Sequence, residues 1–182
     1  MLRRENFYII TGGPGVGKTT LLKQLEPDYI IVPEVAREII KEQVQQNGEG
    51  LPWKDRQLYT TLMLNRSIKS FREICSLNTK DIYFFDRGIL DTLCYAEMIG
   101  DGISDEMDTI AQTFRYNPRV FILPPWLEIY SADEERKQTW EEAELTYEKM
   151  RVTYEKYDYQ LIDVPKDTAE NRRKFILGKL NS

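Results

Sequence analysis

Eight consecutive residues, Gly12-Gly13-Pro14-Gly15-Val16-Gly17-Lys18-Thr19, constrain this chain more than anything else in it. They satisfy G-x-x-x-x-G-K-[ST] at every fixed position. From average residue usage, a chance match in a chain of this length is on the order of one per cent or less. The order of residues has a chemical reason. Glycines let the backbone curl so that successive N–H groups converge on a phosphate. A lysine at the sixth step reaches the outer phosphoryl oxygens, and the hydroxyl after it can serve a magnesium ion. Such a loop needs a strand before it and a helix after it. Phe7-Tyr8-Ile9-Ile10 is an apolar run ending at glycines, which reads as a buried strand. A helix is expected from Lys18, with Leu21, Leu22 and Leu25 on its inner face and Pro27 as its stop. The expected ligand is a nucleoside triphosphate, ATP with Mg²⁺, gripped by Gly13, Pro14, Gly15, Val16, Gly17, Lys18, Thr19 and Thr20.

The rest of the chain repeats the strand-then-helix alternation. Tyr29–Val32, Ile82–Phe85, Val120–Leu123 and Tyr159–Asp163 read as four more strands. Helices are expected at 34–46, with Val35, Ile39 and Val44 inward, and at 53–77, with Leu58, Leu62, Phe71 and Cys75 on one side. Further helices are expected at 89–98, at 104–115 and from 167 to 180. This predicts a single α/β domain over residues 1–182: a five-stranded parallel sheet with helices on both faces and right-handed crossovers. The ligand belongs at the carboxyl ends of the strands. Trp140, Ala143, Tyr147, Met150, Tyr154 and Tyr157 recur at alternating spacings of three and four. Such a stripe is either a helix packed on its own domain or a dimer seam, so a monomer or a homodimer is expected.

Composition removes several chemistries. Without any histidine, Ser-His-Asp and Cys-His catalysis and histidine-ligated metals are excluded. Two cysteines, Cys75 and Cys94, build neither a disulfide framework nor a Cys₄ metal site. The net charge of −5 argues against sequence-independent nucleic-acid binding. The N-terminus has no signal-peptide pattern, and no run approaches a membrane span. The expectation is a cytoplasmic protein without a membrane or nucleic-acid partner.

The third strand ends in Phe84-Phe85-Asp86-Arg87-Gly88. Asp86 then stands at the strand's carboxyl end, facing the phosphate loop, where a carboxylate serves the metal together with Thr19. Arg87 can clamp a transferring phosphoryl group and cannot activate water, which disfavours a water-activating ATPase. GTPase spacings are missing too. Glu34, just past the second strand, would face the same crevice and could take a proton from an attacking hydroxyl. Its alternative is a helix-first-turn acid favoured by the macrodipole. Arg37, one turn on, is either a contact for an acceptor phosphate or a surface ion pair. Trp53, Arg56, Gln57 and Tyr59 are weaker candidates for acceptor contacts. The charged run Ser131–Gln138 follows the fourth strand and could close as a lid over about 131–140, with Arg136 and Lys137 reaching the γ-phosphate.

At these residues the chain resembles a P-loop kinase domain. More narrowly, it resembles the predicted-ATPase "AAA domain" family, related to the nicotinamide riboside kinase domain. The resembling stretches are Tyr8–Thr20, Val32–Glu38, Leu51–Arg56, Phe84–Asp91, Leu123–Trp140 and Leu161–Pro165. The resemblance implies a sheet in the order 2-3-1-4-5, Glu34 as the base, Asp86-Arg87 as an acid-arginine pair, a lid around Arg136 and an adenine near the loop after Asp163. The function implied is transfer of the ATP γ-phosphoryl group to a nucleoside-, nucleotide- or riboside-like small acceptor. The alternatives are an NTPase switch acting on a partner protein through the Trp140–Tyr157 stripe, and a nucleotide-binding protein without turnover.

Overall fold

A computed structural model describes residues 1–129 and 139–180. The lid expected over 131–138, including Arg136 and Lys137, lies outside the described residues.

Strand β1 (Leu2–Arg3) is followed by β2 (Phe7–Gly12), which is buried along its whole length. Next come α1 (Lys18–Leu25), β3 (Ile30–Val32), α2 (Val35–Gln45), α3 (Arg56–Leu77) and β4 (Tyr83–Asp86). The second half holds α4 (Ile89–Met98), α5 (Asp105–Thr113), β5 (Phe114–Arg115), β6 (Arg119–Leu123), α6 (Trp140–Lys156), β7 (Gln160–Asp163) and α7 (Ala169–Leu180). The main sheet is five-stranded and runs β3-β4-β2-β6-β7, with every pair parallel. This is the expected three-layer α/β architecture.

Alternation along the central strand builds both halves of the core. Phe7 and Ile9 point to one face, where Phe85, Phe71, Leu93 and Tyr154 join them beneath α3, α4 and α6. Tyr8 and Ile10 point to the other, against Phe84, Phe121, Leu21, Leu25 and Ile176 beneath α1 and α7. A central parallel strand covered on both faces reads as a continuous apolar run, which is why Phe7–Ile10 shows no alternation in sequence.

Three expectations need correction, and the two readings of the α6 stripe are separated. The helix expected to end at 115 stops at Thr113, and Phe114–Arg115 pair in parallel with Leu2–Arg3. Phe114, Arg115 and Tyr116 are all buried, and the pairing of the first two with β1 holds the chain extended there. The long helix starts at Arg56, because Asp55 caps it by accepting from the Leu58 N–H at 2.9 Å. Trp53 stays outside it and exposed. Val44 and Leu58 face solvent. The patch where α2 meets α3 is built on Ile39, Tyr59 and Met63, and Val44 lies beyond it in the last turn of α2. On α6, Ala143, Met150, Tyr154 and Tyr157 are buried in the domain core, so the stripe packs on its own domain.

Candidate functional site

The phosphate loop connects the end of β2 to α1. Gly15 and Gly17 take left-handed φ values of 76° and 81°, a conformation that turns N–H groups toward one concave side. Val16 pins the loop by burying its side chain. Helix α1 opens at Lys18 with no acidic residue in its first turn, so its N-terminal partial charge is unopposed. Thr19 and Thr20 are exposed in that turn, while Gly13 is buried and Pro14 and Gly15 are half-buried.

The carboxyl end of β4 brings the second half of the site alongside. Lys18 is almost wholly buried and its ammonium forms an ion pair with Asp86. Burial lowers the Lys18 pKa, and the nearby Arg87 charge adds to this; Asp86 and Glu34 offset it only in part. Arg87 follows with a left-handed φ of 72°, and its N–H is held by the Ile10 carbonyl at 3.1 Å. For a bulky side chain that backbone costs about 1–3 kcal/mol. It is held in place by what the guanidinium reaches. Nε donates to Glu34 Oε1 at 2.7 Å, and Nη1 to Asp91 Oδ1 at 3.3 Å.

Glu34 caps the start of α2 without a side-chain capping bond, so its carboxylate is free for other partners. Burial alone would raise its pKa, but the Arg87 and Lys18 charges and the Arg87 hydrogen bond outweigh that and hold it below the usual 4.5. Arg87 is half-buried, and its partial desolvation works against its charge; Glu34, Asp91 and Asp86 reverse the effect and raise its pKa. Arg37 stands largely exposed, 3.4 Å from Glu34 Oε2, and takes the surface ion-pair reading.

Asp91 was missed by sequence reasoning. Its buried carboxylate accepts from the Gly88 N–H at 2.7 Å, the Tyr154 hydroxyl at 2.6 Å, Arg87 and the Thr11 hydroxyl. One side chain thus joins the strand leading into the phosphate loop, the turn after β4 and helix α6. The available signal was a lone acid within Gly88-Ile89-Leu90-Asp91-Thr92-Leu93-Cys94, four residues after Arg87.

A cavity of about 320 Å³ opens beside these groups. Glu34, Asp86, Arg87 and Asp91 line it, and Pro14 of the phosphate loop borders it. Val32, Met63, Met98, Tyr59 and Tyr95 make its apolar part, the two tyrosine rings meeting edge to face at 5.7 Å. Of the four weaker candidates, Tyr59 lines the cavity, while Trp53, Arg56 and Gln57 do not. The structure therefore brings Lys18, Glu34, Asp86 and Arg87 together at one crevice. Among the described residues, no helix is long and apolar enough to cross a membrane.

The family model described as an AAA domain matches residues 7–172. Solved structures share the fold. A NadR protein in complex with NR superposes with a TM-score of 0.69 at 18% identity, over 96% of this chain and 50% of that one. This chain therefore spans half of that NadR chain. A deoxyadenosine kinase from M. mycoides with bound dATP gives 0.59 at 19% identity, covering 97% of this chain and 100% of that one. A thymidylate kinase from Ehrlichia chaffeensis gives 0.57 at 18% identity, with coverage of 97% and 98%. No curated protein sequence matches the chain.

Proposed function

The chain belongs to the AAA domain family and has a P-loop kinase fold, and on that premise we propose that it transfers the γ-phosphoryl group of ATP to a hydroxyl of a nucleoside-, nucleotide- or riboside-like acceptor. One observation carries the reading. An ionised carboxylate, Glu34, is held by Arg87 at the inner end of a cavity that borders the phosphate loop.

The acceptor lies in the cavity with its ring system against Tyr59, Tyr95 and Met63 and its reacting hydroxyl toward Glu34. The hydroxyl oxygen attacks the γ-phosphorus while Glu34 takes its proton. The bond from the γ-phosphorus to the β,γ-bridging oxygen breaks, and ADP leaves with the electron pair. Lys18 and Arg87 balance the charge spread over the transferring group. Asp91 acts through Arg87 as a positioning residue.

Magnesium keeps water and substrate phosphates and takes one or two protein oxygens. The Thr19 hydroxyl and the Asp86 carboxylate are hard oxygen donors of that kind, so they are the residues that would hold it. When bound, it neutralises phosphate charge. The ATP γ-phosphate competes with Asp86 for Lys18, which releases that carboxylate.

Burial of Ala143, Met150, Tyr154 and Tyr157 in the domain takes most of the stripe out of reach of a partner, which weighs against a partner-controlling switch. The test is incubation of the protein with ATP, Mg²⁺ and panels of nucleosides, nucleotides and ribosides, reading phosphorylated products. ATP hydrolysis at a substantial rate without any phosphorylated acceptor would overturn the proposal.

A further inference from the structure

Behind the phosphate loop sits a cation used by neither the loop motif nor the cavity. Arg172 lies in the first turn of α7 and is only 2% exposed. Its Nη1 donates to the Val16 carbonyl at 2.8 Å, across 156 residues of sequence. Its Nε donates to the Pro165 carbonyl at 2.8 Å. The Trp126 ring covers the guanidinium at 4.7 Å. Nη2 is buried with no hydrogen-bond partner.

This is an expensive arrangement for the fold. Among the described residues, no carboxylate forms an ion pair with Arg172. Burial accordingly lowers its pKa, against a small opposing pull from Asp167. A buried cation lacking a countercharge costs stability, and the N-terminal turn of a helix is the wrong end for a positive charge. A group kept against both penalties is expected at a functional site.

What it touches identifies the function. N–H groups of the curled loop converge on the ligand side, so the carbonyls turn outward. Arg172 holds the Val16 carbonyl between the two left-handed glycines. The fit is close: a β-carbon at Gly17 would lie 3.1 Å from Nη1 and 3.2 Å from Ile129 Cδ1. The planar fork ties the loop to the turn after β7, a two-directional contact that an ammonium cannot reproduce.

We propose that Arg172 is a positioning residue for the phosphate loop: it fixes the loop in its anion-binding curl, and the polyphosphate of the bound ligand supplies the negative charge this cation lacks. The proposal rests on the reading that the loop binds a nucleoside triphosphate, and it does not need phosphoryl transfer.

The test compares the parent protein with Arg172→Lys and Arg172→Met for binding of ATP, inorganic tripolyphosphate and adenosine by calorimetry, alongside thermal melts. Arg172→Met is expected to weaken ATP and tripolyphosphate by about tenfold or more, as for loss of a charged hydrogen bond. Arg172→Lys is expected to weaken both by a smaller factor, and adenosine binding stays unchanged. A merely structural role would lower the melting temperature and leave polyphosphate affinity of the folded protein intact. Folded Arg172→Met binding both polyphosphates within about twofold of the parent overturns the proposal. So does a loss confined to adenosine, which would make Arg172 a base contact. If Arg172→Met does not fold, Arg172→Lys carries the same criterion, and if neither folds, Arg172 is a structural cation and the proposal falls. A parent that binds tripolyphosphate but phosphorylates no acceptor overturns the kinase reading alone.

Discussion

Asp91→Asn tests whether one buried carboxylate organises this site. Its two oxygens accept four hydrogen bonds, from Thr11, Arg87, the Gly88 N–H and Tyr154. An asparagine has one carbonyl oxygen, which can keep two of them. Its amide group would then face one obligate donor, the Arg87 or the Gly88 N–H, with a donor of its own, and one hydroxyl that must turn round to accept. Each orphaned buried donor costs about 1–3 kcal/mol. Loss of a countercharge beside half-buried Arg87 adds to this, moderated because Glu34 still holds Nε. The sum is about 4 kcal/mol, a large share of the roughly 5–15 kcal/mol that stabilises a domain. With a urea slope of about 2 kcal/mol per molar, the midpoint should fall by about 2 M. Tyr154→Phe, which removes one donor and leaves the carboxylate in place, should cost only about 1 kcal/mol. Both changes disturb the same Tyr154–Asp91 hydrogen bond, so in the double variant the two costs should sum to less than additive by about 1 kcal/mol. A midpoint shift below about 0.5 M for Asp91→Asn at unchanged slope, or strict additivity, would refute the four-donor account.

Three further outcomes are expected. Lys18→Met should weaken ATP binding by about tenfold or more, read by calorimetry; affinity within about threefold would count against the phosphate loop as the binding site. Glu34 is held below the usual 4.5, so the stability from its pairing with Arg87 is fully present above that pH and is lost as pH falls through the lower folded-state value. The stability gap between the parent and Glu34→Gln should therefore be flat from about pH 6 to 8 and shrink only below about pH 4.5; urea melts across that range check it, and a gap that closes near neutrality would contradict it. Among the described residues Arg87 is the cation that lines the cavity, and it and the neighbouring Lys18 are both paired with carboxylates. An unphosphorylated nucleoside is thus expected to react with a kcat/KM about tenfold above that of its monophosphate, and the reverse ranking in a coupled ADP assay would sink this reading of the cavity.

The parts of the site legible in sequence are those built from backbone. A loop that presents N–H groups to an anion needs glycines at fixed steps, and that need is written locally between Gly12 and Thr19. Asp86 and Glu34 were legible because each stands where an apolar run ends, and a parallel sheet places all such ends on one edge. Asp91 and Arg172 were not legible, since their partners come from distant segments: Tyr154 and Thr11 for one, Val16 and Pro165 for the other. No spacing rule links residues that meet only after the layers assemble. The α6 stripe shows the opposite limit. Its periodicity was plain, but a packed helix and a dimer seam share that periodicity, and only burial distinguishes them.

The two cations of the crevice are built for different tasks. Lys18 is a point charge on a flexible stem with one carboxylate partner, and burial has lowered its pKa. Under the proposed function, exchanging Asp86 for phosphate oxygens would cost Lys18 one contact and gain it others, so this pair is the one expected to open for a triphosphate. Arg87 is gripped at both ends of a planar fork by Glu34 and Asp91, on a backbone already committed to a left-handed turn. Opening that triad would take the guanidinium from two carboxylates at once, leaving Glu34 only exposed Arg37 and Asp91 only uncharged donors. Under the proposed kinase function this division has a use: one cation would exchange partners while the other would keep Glu34 aimed at the acceptor.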